Sequence, residues 1–258
     1  MSLLALSFTL GFVVLALILS LWQRLGMEKD MIVSTVRATI QLLIVGYILK
    51  VVFSIQGPAL ILAMILLMLV VATFNAAKRG RGMPGIHLRI LFALTLTEAV
   101  TQAFLLLMRI VPPTPQYVIP ISGMIIGNAM VVAGLFLNRL RAEAENRKEE
   151  INLILSLGGT PRQAIQPVLK TAVRAGMIPT IDSTKTTGLV QLPGMMTGQI
   201  IAGADPIQAV RYQLLILFAI LASAALTSMV LGFLTYPRLF NTYQQLVLPP
   251  QNSAKLGS

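Results

Sequence analysis

Glu98 is followed at i+3 and i+4 by Thr101 and Gln102, so on a helix the three form one polar stripe inside an apolar run. Arg37, with Gln41 at i+4, makes a second such stripe in another apolar run. At 1.5 Å per residue, Glu98 lies about 13 Å beyond Arg89 and Arg37 about 10 Å beyond Asp30. If both runs start at the same membrane face, the two charges reach similar depths. A charge there must be paired or face water. Two readings stay open. One is an ion pair that fixes helix register. The other is a polar path, in which Glu98 with Gln102 and Gln41 attracts a cation.

Met195 and Met196 stand beside Gln191, Thr197 and Gln199, among the helix breakers Pro193, Gly194 and Gly198. Broken helices expose carbonyls and half-helix ends that transporters use to hold substrates. Thioethers suit soft ions such as Cu(I), but methionine also serves simply to fill irregular gaps. Asn128 lies between Met124 and Met130, next to Gly123 and Gly127, whose G-x-x-x-G spacing is one of close helix packing. The chain has no cysteine and one histidine, His87, so thiolate and His-cluster metal sites are excluded and the identity of any metal stays open. No G-x-x-x-x-G-K-[ST] loop occurs, so ATP-driven work would need a separate ATPase chain. No catalytic constellation is present, and we expect neither an enzyme nor a cofactor bound by this chain.

The elements that must position these residues are membrane spans. Hydrophobic residues make up 56% of the sequence and charged ones only 11%, with a mean hydropathy of +0.81. A water-facing surface needs about twice that share of charge. Seven stretches read as spans, at about 3–22, 32–53, 58–77, 90–110, 118–138, 188–204 and 211–236. The first has no charged n-region of a signal peptide and is expected to stay attached. The sixth is short and broken by proline and glycine, so it either crosses or re-enters. The net charge of +11 fits cytoplasmic loops rather than a nucleic-acid face. With the N-terminus outside and the C-terminus cytoplasmic, all Lys and Arg except Lys50, Arg109 and Arg211 fall on or near the cytoplasmic side. The expected fold is thus all-α, a single permease domain over 1–250 in the lipid bilayer with a tail at 251–258.

The polar segment 139–187 is expected on the cytoplasmic side. Its first part, Arg139 to Glu150, extends span five as a helix, with Glu143 and Arg147 at i+4. A short amphipathic helix follows, then a turn at Leu157-Gly158-Gly159, then a helix capped by Thr160 with Pro161 at its first position. Such a helix–turn–helix either rests on lipid headgroups or docks a cytoplasmic partner.

Here the chain resembles known families. Importer permeases of ABC transporters carry a loop E-A-A-x-x-x-G, followed by a Gln-Ala pair, that couples to the ATPase. Aligned on Gly158, Asn152 takes the glutamate position, Leu153 and Ile154 the alanines, and Gln163-Ala164 the pair. The run from Ile178 through Asp182-Ser183-Thr184-Lys185-Thr186-Thr187 to Gln199-Ile200 resembles the signature of the Fet-type permeases, described as iron-export ABC membrane subunits, with the plant aluminium-sensitivity proteins as relatives. Arg37 to Leu42, Gly123 to Met130, and Gly203-Ala204-Asp205-Pro206 agree with it. The resemblance implies a permease of the cytoplasmic (inner) membrane, working as a homodimer with a cytoplasmic ABC ATPase subunit that uses the ATP. It also implies export of metal ions, and coupling through Asn152, Leu157, Gly158, Gly159, Thr160 and Gln163. A carrier or channel that works without ATP is the alternative. Such carriers usually show internal repeats and several intramembrane ionisable groups, and the chain has no clear repeat and essentially one such acid.

Overall fold

The computed structural model describes residues 3–55, 57–80 and 82–248, with side chains from residue 8 onward. The expected tail at 251–258, the domain boundary at 250, and Gln56 and Arg81 of two expected turns lie outside the described residues. There are nine α-helices among the described residues: α1 (Leu3–Gln23), α2 (Glu28–Ile55), α3 (Pro58–Ala77), α4 (Ile86–Leu107), α5 (Pro115–Asn146), α6 (Lys148–Ser156), α7 (Pro161–Thr186), α8 (Gly194–Ile201) and α9 (Pro206–Thr235). Among the described residues no strand forms, only two isolated bridges. Five helices among the described residues, α2, α3, α4, α5 and α9, are long and apolar enough to cross a bilayer. The chain is an all-α membrane protein.

Two compact units divide it, residues 1–57 and 58–258. In the first, α1 and α2 form a hairpin. The Ser20 hydroxyl donates to the Glu28 carboxylate at 2.7 Å and closes the turn between them. Glu28 and Asp30 occupy the first turn of α2, where acids favour the helix N-terminus. That accounts for a helix starting at Glu28, earlier than the apolar run alone suggests.

In the second unit α5 is the axis. It packs against α3, α4, α7 and α9, and Ile125, Ala133, Phe136, Leu137 and Leu140 along it are fully buried. As expected from the helix formers after Arg139, α5 continues past the apolar run to Asn146. Glu143 holds this extension, taking Arg139 at 2.7 Å and Arg147 at 3.3 Å.

One expectation is changed. The stretch 188–204, expected to cross or re-enter, holds only α8, eight residues and about 12 Å long. A crossing needs about 30 Å. Pro193 sets its first boundary as N-cap, and the chain leaves it through Gly203 at φ +92°. The helix expected to start at Thr160 and Pro161 is α7, 26 residues packed antiparallel to α5 and against α9. Ala164, Ile165, Val168, Ala172, Gly176 and Thr180 form its buried side. A Cβ on Gly176 would stand 3.2 Å from the Val132 carbonyl oxygen, so only glycine lets the two backbones come this close.

Candidate functional site

α4, α5 and α9 enclose a polar cluster. Thr97 Oγ1 on α4 meets Thr227 Oγ1 on α9 at 3.0 Å, and Gln102 Nε2 donates to Ser122 Oγ on α5 at 3.2 Å. Thr101 Oγ1 donates to the carbonyls of Thr97 and Glu98. Glu98 is 4% exposed. Ser122 stands in its vicinity, yet neither carboxylate oxygen closes a well-formed hydrogen bond among the described residues. The donors nearest in sequence, Thr101 and Gln102, are committed elsewhere. A carboxyl enclosed this way is costly without a counter-charge. Chemically it can take a cation or a proton.

Arg37 and Gln41, on the stripe expected to accompany Glu98, are exposed residues of α2 and belong to the α1–α2 unit. Asn128 ties three helices of the second unit together. Its Oδ1 accepts from Thr180 Oγ1 of α7 at 3.1 Å, and its Nδ2 donates to the Ile220 carbonyl of α9 at 3.4 Å. Met195 packs against the apolar group of Ile121, Ile125 and Ile216, while Met196 beside it is half-buried. No group of three or more His, Asp or Glu side chains that could hold a metal occurs among the described residues.

The helix–turn–helix lies at the end where α5 finishes. Ile151 of α6 is buried, while Asn152, Leu153, Ser156 and Leu157 project outward. Leu157 is 79% exposed. Gly158 turns the chain at φ +86°, a region that L side chains avoid. Gly159 then lies against Ile154, whose carbonyl accepts its N–H at 2.9 Å. Thr160 and Gln163 close a reciprocal capping box: the Gln163 N–H donates to Thr160 Oγ1 at 3.3 Å, and Gln163 Oε1 accepts from the Thr160 N–H at 2.8 Å. Gln163 is therefore part of the cap that stiffens the turn. The spacing Thr-x-x-Gln carries that signal in the sequence. The assembled feature is a rigid knob with two apolar side chains, Leu153 and Leu157, one turn apart at its surface.

Sequence reasoning passed over Asp182 and Lys185 as site residues. They form an exposed ion pair at 3.3 Å on the last turns of α7. Ser183 and Thr186 beside them are also exposed. Read as part of a cytoplasmic segment, such residues look ordinary. The seven residues between Arg174 and Asp182 carry no charge, but so short an interval does not mark a span by hydropathy.

Comparison with known proteins places this geometry. A model described as "Uncharacterised protein family (UPF0014)" matches residues 3–240. The chain is similar to the UPF0014 membrane protein YjkA of Bacillus subtilis (strain 168), with 58% identity over 95% of this chain and 98% of the relative. It is 42% identical to the probable iron export permease protein FetB of Escherichia coli (strain K12), over 95% of this chain and 94% of the relative. With the protein ALUMINUM SENSITIVE 3 of Arabidopsis thaliana it shares 37% identity over 91% of this chain and 86% of the relative. No solved structure matches the chain.

Proposed function

Since the chain belongs to the uncharacterised protein family UPF0014, we propose that it is the membrane subunit of an ATP-driven ABC transporter that exports metal ions, iron among them. It works in the cytoplasmic membrane as a homodimer, and a separate cytoplasmic ATPase uses the ATP. The chain crosses seven times, with its N-terminus outside and its C-terminus in the cytoplasm.

The observation that carries this reading is the knob between α5 and α7. The short helix α6 follows directly on α5 and leads through the capped turn into α7, and Leu153 and Leu157 stand exposed there. A push on that turn is carried by α5 and α7 into the core. Similarity to a relative named as a probable iron export permease protein supports the proposed cargo and direction. Glu98, Gln102, Asn128, Met195 and Met196 are the proposed polar path of the second unit, with Glu98 as its cation-attracting group, and Arg37 with Gln41 is the proposed polar stripe of the first. A carrier or channel without an ATPase is the second reading, favoured by the enclosed Glu98 carboxyl, since carriers use such groups for coupling ions.

Purification of the tagged protein from its own membranes tests the choice. An ATP-hydrolysing chain is expected to copurify with the wild type. Leu157→Asp should insert at the same level and lose at least about nine-tenths of that chain, because burying a charge in an apolar contact costs well over the 1.4 kcal/mol of a tenfold change. Wild-type protein that purifies without an ATPase and still transports iron would favour the carrier. Topology has its own check: reporters fused after Glu150 and after Leu248 should both read as cytoplasmic. An external reading after Leu248 rules out the seven-span order.

A further inference from the structure

We propose that α7 is itself the sixth membrane crossing, and that its exposed polar side, centred on Asp182 and Lys185, lines a water-filled path through the bilayer. The location follows from register. Gly176 lies on Val132, and Thr180 donates to Asn128 at 3.1 Å, so α7 advances as α5 retreats. Asn128 is the midpoint of the apolar run 118–138. Asp182 therefore stands level with Ile126, about 3 Å past that midpoint, and Lys185 level with Gly123, about 8 Å past it. By the same register Lys170 stands level with Asn138 and Thr186 with Ser122, so about 24 Å of α7 lies along the apolar run, and the chain turns back directly after it, where the Gly188 N–H meets the Gln191 carbonyl.

The composition of the exposed sides decides what that part of α7 meets. On α3, Leu62, Leu66 and Val70 are exposed, and on α4 Phe92, Val100 and Phe104 are. Those surfaces suit acyl chains. On α7, past Thr180, the exposed residues are Asp182, Ser183, Lys185 and Thr186. The ion pair keeps 62% of the Asp182 side chain and 70% of the Lys185 side chain accessible. Charged groups at this depth are not left against hydrocarbon, and irregular or polar chain is tolerated there where it borders water. Polar and apolar exposed surfaces thus belong to different helices of one bundle.

The donors on this side are oxygens, from one carboxylate and several hydroxyls, which suit a hydrated solute or a hard cation rather than a soft one. Lys185 holds Asp182 at 3.3 Å, and an entering cation would compete with that ammonium for the carboxylate. The cargo assignment rests on the transport reading above, whereas the path itself does not.

The test uses the full chain, which has no native cysteine, so each introduced thiol reports alone. Ser183→Cys and Thr186→Cys are made on α7, with Leu66→Cys on α3 as the lipid-facing reference. A charged, membrane-impermeant thiol reagent is applied to right-side-out and inside-out vesicles. We expect both α7 thiols to react at least about tenfold faster than Leu66→Cys from one side or the other, a gap of about 1.4 kcal/mol in barrier. A reporter fused after Gly188 should read as external. If both α7 thiols are as slow as the reference from both sides, the polar side does not border water and the path is wrong. A cytoplasmic reading after Gly188 overturns the crossing. Neither measurement needs the ATPase or transport, so a failure here is distinct from a failure of the ABC reading.

Discussion

On the ABC reading proposed above, Glu98→Gln is expected to insert, fold and bind the ATPase normally while iron transport falls by roughly 10- to 150-fold. The carboxyl is buried without a well-formed hydrogen bond among the described residues, so little of the packing depends on its charge. Glutamine keeps the shape and removes the charge. What is lost is a charge contact with the cargo, about 1.5–3 kcal/mol, which converts to that range of rates. Measurement of iron uptake into inside-out vesicles, with insertion monitored on the same membranes, provides the check. A structural ion pair with Arg37 predicts something else. Under that reading Glu98→Gln impairs folding, and Arg37→Gln in the same chain restores it. Full transport by the single variant would remove Glu98 from the path altogether.

Phe136→Ala is expected to cause the largest loss of stability, about 3–5 kcal/mol. Phe136 is fully buried at the centre of α5. Its ring reaches Gly232 on α9, and its Cβ sits over Gly176 on α7. Gly232 has no side chain able to fill the gap when the ring is removed. In a bilayer, helices associate through packing rather than through transfer from water, so the cavity term carries the loss. The thermal midpoint of the detergent-solubilised protein should drop by about 10 °C. A change of less than about 2 °C would mean that the three helices relax together and that Phe136 is no hub.

Much of this was readable in order along the chain. Apolar runs of about 20 residues require spanning helices, and α2, α3, α4, α5 and α9 are where such runs stand. Local chemistry also sufficed for the turn at Leu157 to Thr160. Thr160, Pro161 and the glycines specify a cap and a reversal whatever surrounds them, and both are present. Short-range rules work there because every partner lies within four residues.

The rest depends on which helices meet. The sequence determined a basic, all-helical membrane chain and a capped turn, since hydropathy and capping are summed over neighbours in the chain. Tertiary structure alone decided that α7 runs back along α5, because α7 has no apolar run to mark it and is held by Thr180 on Asn128 and by the gap at Gly176. It also decided that the helix after Gly188 is too short to cross, and that Glu98 is buried. Hydropathy averages a helix around its axis, so it cannot separate one side buried in protein from another that borders water. Only the packing of α5 against α7 makes that distinction.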